Sequence, residues 1–503
     1  MTCRLFVIFL LLASRSGFSA EASTLITNVT VLSPERSAPL SDAWVRIDRD
    51  NISQIGTGLV DTNGTTVIDA QGGYLVPGLI DSHVHLYHAT GLKRRYTEDY
   101  DALYQAFMTQ QPRSFLYFGF TTVVELNADT AANARFEASP QHPNLVHCGQ
   151  GVILSDGFMA LELEGEAIEQ AHPGYLIDEY GDGLIPSGAD PQQHTADAVV
   201  DYVRLHGGSC VKLYYEEALW WPGGAPDFRL PSVAIVRDVV AAAHAHDMPV
   251  VLHATTPDGH RMALEAGVDI LGHGMWEWPD QALDAAEPAP DYASIVRQVA
   301  QSNIGMQPTF STIRNTESLF DSSVLSDPEW RHVVPAPYMA YLRTDAQGQR
   351  EAFVDRFASE LGKGKTVEDF PSLLSNFVSR YEKLIGGMDA AGATLLFGSD
   401  TAVGGFGWAS PPGLAGYWEM QAWRRAGVPL RTLFESLTIG NARAFGLDQE
   451  VGTIEVGKRA DLLILRDNPL EDVSAYNSIN RVILGGQVLT RDSLSVEWKS
   501  EDR

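Results

Sequence analysis

Residues 78–88 read GLIDSHVHLYH and set His83 and His85 two apart at the end of an apolar run. In a strand, side chains two apart share a face. The two imidazoles are therefore expected to point together into whatever the strand end opens on. Alone, an H-x-H spacing is weak evidence, because two hydrogen-bonded histidines account for it equally well. The rest of the chain decides what the pair is for.

Downstream, short apolar runs alternate with long amphipathic stretches, the pattern of repeated βα units on a parallel sheet. The runs are LVPGLIDSHVHL, FTTVVELN, LVHCGQGVIL, GSCVKLYY, PVVLHATT, VDILGHGM, IGMQPTFST and ATLLFGSDT. Eight parallel strands with helices between them predict a (β/α)8 TIM barrel over 77–445. Before it, TLITNVTVL, AWVRIDRDNISQIG and TTVIDAQGGYLVPG are β-patterned and punctuated by turn residues. The same texture returns near the other end, so 23–76 with 446–503 is expected to form a composite β-sandwich. Two stretches read as insertions at strand ends, 157–195 and 315–388, where lids and substrate walls are commonly built.

Other chemistry-bearing residues fall at the carboxyl ends of these runs. His253 closes the fifth, His273 the sixth and Asp400 the eighth, and Lys212 lies in the fourth. Barrel active sites sit at that end. Four neutral imidazoles and a carboxylate suit zinc or a similar divalent ion. So many strand-end ligands in one chain make metal binding the better reading of His83 and His85.

PGLIDSHVHL, the fourth-strand Lys212, then HA, GHG and GSDT resemble the amidohydrolase superfamily of metal-dependent hydrolases. SLTIGNARAFGLDQEVGTIEVGKRADLLILRDNPLED is similar to the close of its imidazolonepropionase-like and dipeptidase-like branch. The likeness runs from about Asn28 to Leu489. The segment YYEEALWW after Lys212 departs from the glycine-rich run of some members. The resemblance implies two divalent ions, most simply zinc. His83, His85 and Asp400 would hold one, His253 and His273 the other. Lys212, carbamylated by CO2, would bridge them. It also implies hydrolysis by metal-activated hydroxide, with Asp400 as general base and then general acid.

Substrate contacts are sought nearby. Tyr214, two after Lys212, shares its face and is a candidate donor to an oxyanion or a substrate carboxylate; Tyr215 should point into the helix layer. His88 could serve similarly. Arg314 is a candidate grip for a carboxylate. Trp220, Trp221, Trp276 and Trp278 fit a pocket wall or ordinary loop packing.

Composition sets the outer limits. The 503 residues carry 36 Lys+Arg against 64 Asp+Glu, a net charge of −28. That balance argues against nucleic acid and anionic membrane surfaces as partners. MTCRLFVIFLLLASRSGFSAEA, residues 1–22, reads as a signal peptide: a basic start, a short apolar core and an A-x-A-like site. Export to the periplasm or extracellular space is expected, with no membrane span. Cys148 and Cys210 fall on neighbouring strands, and a disulfide or two buried thiols fit equally. The expected substrate is a small amide, a dipeptide or N-acyl amino acid. The alternatives are a cyclic amide or imidazolone, a lactone or a phosphotriester on the same metal core. A scaffold that has lost catalysis is a further alternative, against which the full ligand set speaks. Oligomeric state, a homo-oligomer included, is left open.

Overall fold

The computed structural model describes residues 23–496 except 94–98, 162, 164–165, 182, 220–226, 279–284, 286, 290–291, 345–350, 352–368 and 403–407. The signal segment 1–22, Trp220 and Trp221 lie outside the described residues.

Both ends of the chain meet in one eight-stranded sheet. Its first part is β1 (Ser23–Val31), β2 (Leu40–Asp48), β3 (Asn51–Thr57), β4 (Thr65–Asp69) and β5 (Tyr74–Pro77). β14 (Leu462–Leu465), β15 (Ile479–Leu484) and β16 (Gln487–Thr490) complete it in the order β16-β15-β14-β5-β1-β2-β3, with β4 on β1. β1 changes partner midway: residues 23–27 pair with β4, Thr30 and Val31 with β5. Asn28 sits between them in the left-handed region, φ 54°. Asn tolerates that conformation better than most residues. The register of β1 against β2 shifts at the same place. Ile26, Val45, Leu75, Leu462 and Ile483 pack a separate small core here.

The middle of the chain forms two parallel sheets. One is β6 (Leu79–Val84), β7 (Phe120–Glu125) and β8 (Asn144–His147). The other is β9 (Val211–Tyr215), β10 (Val250–Ala254), β11 (Ile270–Gly272), β12 (Gly305–Gln307) and β13 (Thr394–Leu395), paired in that order. Both faces of such strands are covered; every residue of β6 and β7 is buried, polar Asp81, Ser82, His83 and Glu125 included. The single run LVPGLIDSHVHL is in fact split: β5 belongs to the end sheet and β6 to the parallel one. Backbone bonds also cross between the two parallel sheets. Ser82 N donates to Phe397 O at 3.1 Å and Asp400 N to His83 O at 2.7 Å on one side. On the other, Ser209 N donates to His147 O and Val152 N to Lys212 O, both at 2.9 Å.

Helices follow the strands where the local sequence demands them. After β10, Thr256 caps Gly259 N at 3.1 Å, Pro257 opens the helix Pro257–Ala266, and Gly267 ends it at φ 78°. Ser232 caps Val233–His244 and Thr195 caps Ala196–Leu205 in the same way. Among its described residues the insertion 157–195 includes the short α-helix Glu166–Ala171 and 3-10 turns at Phe158–Ala160 and Pro191–Gln193. The described residues of 315–388 include most of a 21-residue helix, Phe370–Ala390.

Cys148 and Cys210 form a disulfide, with Cα atoms 4.3 Å apart. It joins the residue after β8 to the residue before β9, across one of the two seams. It lies in an apolar cluster with Val124, Leu126, Val251 and Ile270. Closing a loop of 62 residues removes unfolded-state entropy worth about 4 kcal/mol. The double variant Cys148→Ala, Cys210→Ala is therefore expected to unfold at clearly lower denaturant. An unchanged midpoint would show that the seam holds without the bridge.

Candidate metal centre

His83, His85 and Asp400 converge where the β6 and β13 ends meet. His85 Nε2 lies 3.1 Å from Asp400 Oδ1 and His83 Nε2 3.5 Å from the same oxygen. One ligand atom from each of the three lies within 4.8 Å of the others. His273 joins from β11, its Nε2 3.9 Å from Asp400 Oδ2 and its ring stacked on His83 at 4.9 Å. His253, on β10, meets His273 edge-on at 5.0 Å. Glycines make room for this crowding. A Cβ at Gly398 would lie 2.6 Å from that of His83, and one at Gly272 would lie 3.1 Å from its ring.

Each imidazole is tied through its other nitrogen to an outer partner. His83 Nδ1 faces Gln307 Oε1 at 3.0 Å. The Gln307 amide is itself held, donating to Ser82 O at 2.9 Å and Ser82 Oγ at 2.7 Å. His85 Nδ1 faces Glu125 Oε1 at 3.2 Å. Glu125 is fully buried and also accepts from Leu86 N and, at 2.8 Å, from Asn127 N. His273 Nδ1 faces Thr309 Oγ1 at 2.6 Å, and His253 Nε2 faces Glu216 Oε2 at 2.7 Å. Outer partners of this kind fix the tautomer and aim the remaining lone pair. Nε2 is thus left to bind in three rings, and Nδ1 in His253.

Lys212 enters from β9, 2% exposed, its Nζ 5.8 Å from the centre of the Tyr214 ring. Its Nζ is buried and has no hydrogen-bond partner among the described residues. Burial lowers its pKa to about 8, with Asp400 opposing. An unpaired buried amine is costly, whereas its carbamate would be an anionic oxygen ligand. The His83, His85 and Asp400 donors therefore fit a divalent ion, and the orphaned Lys212 amine fits conversion to a further ligand beside them. Burial likewise holds His83 and His273 well below the usual histidine value, so both are neutral, as ligands must be. For His85, burial is outweighed by hydrogen bonds to Asp400 and Glu125, which push it up to about 9. A bound cation would take that proton's place. Burial would raise Asp400, but the surrounding imidazoles reverse this and keep it ionised, with Thr312 Oγ1 donating to Oδ2 at 2.9 Å.

The remaining candidates scatter. Tyr214 faces inward with Lys212, its ring 5.8 Å from that of His253. Burial raises its pKa well above 10, so its phenol is a donor. Tyr215 turns outward against Gly259 of the helix Pro257–Ala266, which follows β10. His88 stands farther out, its ring 6.5 Å from His85 and tilted against Tyr87 at 4.0 Å. Burial pushes it down to about 4. Trp276 lies against His273 at 4.8 Å, whereas Trp278 packs on Tyr292. Arg314 does not join the centre. The helix Phe310–Ser318 begins directly after β12, so at 100° per residue Arg314 lies nearly opposite Thr312.

Glu125, Gln307, Thr309, Thr312 and Glu216 were missed in the sequence; only Glu125, an acid closing an apolar run, carried a signal there. Glu216→Ala is expected to weaken binding of one ion by about 10–100-fold while sparing the other. Glu216→Gln, which can still accept from His253, should recover part of that. Equal affinities in titrations of all three proteins would remove Glu216 from this role.

Comparisons agree with the geometry. A family model described as the amidohydrolase family matches residues 74–489. Imidazolonepropionase of Paenarthrobacter aurescens is 30% identical over 214 residues, covering 39% of this chain and 49% of that protein. The chain thus spans about half the length of this relative. A Xaa-Pro dipeptidase structure with bound methionine superposes with TM-score 0.63 at 20% identity, over 93% of this chain and 100% of the other. Molinate hydrolase gives 0.64 at 17% identity, over 95% and 96%. At such identities these structures speak for the fold alone. With a family match over residues 74–489, most of its length, the chain belongs to the amidohydrolase family.

Proposed function

We propose that this protein is an exported hydrolase of C–N amide bonds that works with two divalent ions, zinc by preference, and a carbamylated Lys212. The observation that carries this is the buried, unpartnered Lys212 Nζ among four imidazoles whose outer nitrogens are already tied. We read the two parallel sheets as one closed eight-stranded barrel, for which the backbone bonds across both seams speak. The eight-stranded end sheet, 23–76 with 446–503, would be a separate sandwich domain. Export is supported by the apolar N-terminal segment and by a disulfide suited to an oxidising compartment.

When bound, the ions supply Lewis acidity that activates water and polarises a carbonyl. The protein's own groups do the rest. Asp400 is ionised, aimed by Thr312 and His85, and takes a proton from the attacking water, later returning it to the leaving nitrogen. Tyr214, a protonated phenol on the inward face, donates to the developing oxyanion. The outer partners keep the four imidazoles from turning.

A dipeptide or N-acyl amino acid is the preferred substrate, in line with the Xaa-Pro dipeptidase among the structural neighbours. A cyclic amide is the second reading, favoured by the imidazolonepropionase relative. Zinc-loaded protein in bicarbonate should release amine from some members of a panel of dipeptides and N-acyl amino acids. Turnover confined to ring substrates, lactones or phosphotriesters would overturn the substrate class and leave the metal chemistry standing.

A further inference from the structure

Glu419, on the helix Leu414–Arg425, is a carboxyl group with no exposed surface. Its Oε1 accepts from Trp423 Nε1 at 2.9 Å, one turn along its own helix. Its Oε2 reaches out of that helix and accepts from Ser311 N at 2.8 Å, with Phe310 N donating alongside. These two N–H groups open the helix Phe310–Ser318, where no carbonyl of the helix itself can take them. A carboxylate at that end also suits the helix dipole. All three partners are donors, so the ionised form satisfies them together. Burial nonetheless pushes the pKa of Glu419 up to about 8.

The turn that Glu419 holds carries outer partners of two candidate ligands. Thr309, just before the helix, faces His273 Nδ1 with its Oγ1 at 2.6 Å. Thr312, in the first turn, donates to Asp400 Oδ2 at 2.9 Å. Ser311 Oγ donates to Ser399 O, the carbonyl preceding Asp400. Thr309 stands in the left-handed region, at φ 49°. A β-branched residue is strained there and persists only where its surroundings hold it. The N–H groups taken by Glu419 belong to the next two residues.

We propose that Glu419 is a positioning residue for the metal centre: it clamps the first turn of the helix Phe310–Ser318 and so keeps Thr309 on His273 and Thr312 on Asp400. The inference rests on the metal-centre reading proposed above and extends it to a residue none of whose hydrogen bonds goes to a ligand.

Glu419→Gln tests it, read on the metal and not on turnover. Gln keeps the volume and one acceptor, but its amide group is turned against a donor, either Trp423 Nε1 or Ser311 N. At about pH 9, one unit above its pKa, wild-type Glu419 is mostly ionised. There the variant should bind one divalent ion about tenfold or more weakly than wild type. Fully loaded with cobalt, it should also show a shifted visible spectrum, which lowered stability alone would not cause. In a Thr309→Val, Thr312→Val background both links are already cut, so adding Glu419→Gln should weaken the ion by no more than about twofold further. Glu419→Asp keeps the charge but falls one methylene short; it should move both readouts the same way, and it decides the matter if Glu419→Gln fails to fold. Wild-type affinity and cobalt spectrum in a folded variant, or the full tenfold loss repeated in the valine background, would overturn the inference alone. A wild-type protein that binds no divalent ion would overturn the reading of the centre and this inference with it.

Discussion

Lys212→Ala is expected to leave the protein with one divalent ion or fewer per chain and to cut amide hydrolysis about a thousandfold or more. The size follows from the role. An oxygen ligand carried by Lys212 would help hold both proposed ions, and the Lewis acidity lost with one of them would be worth several kcal/mol, at 1.36 kcal/mol per factor of ten. Truncating a buried side chain also opens space, which by itself perturbs a core. Lys212→Met separates the two effects, since it keeps most of the volume and removes the amine. Metal loss in both variants, with similar melting temperatures for Met and wild type, is the expected pattern. Two ions retained in Lys212→Met, counted by plasma mass spectrometry, would end the bridging role.

Asp400→Asn should behave differently. The amide oxygen can still accept from Thr312 Oγ1 and face His85 Nε2, so the variant should keep much of its metal. What it loses is a group that can take a proton from water and pass it on. Such a transfer contributes about 10²–10⁴-fold. kcat should fall by that factor with KM little changed, because the loss lies in the transition state. Near-normal turnover in a metal-replete Asp400→Asn protein would remove Asp400 from the proton path.

The strands that carry this centre could be read directly. β6, β9 and β10 carry His83, Lys212 and His253 near their ends, and His85, His273 and Asp400 follow β6, β11 and β13, so periodicity and strand ends together pointed to these six residues. The outer partners could not be read. Gln307 reaches His83 across 224 positions of sequence, and Glu125 reaches His85 across 40. No spacing rule links residues brought together only by neighbouring strands. Arg314 lands away from the metal centre for a local reason. The run IGMQPTFST reads as strand to its end, yet the helix starts at Phe310, which carries Arg314 round to the far face. The cysteine pair stayed open because pairing depends on the distance between β8 and β9, and the structure brings the two Cα atoms to 4.3 Å.

The most direct test of the central claim is amine release from the dipeptide and N-acyl amino acid panel before and after chelation, with the ions per chain counted alongside. The expected result is two divalent ions on the active protein, no release after they are stripped, and recovery with zinc and bicarbonate together. Undiminished release from the stripped protein would contradict the proposal that this centre is a metal-dependent hydrolase site.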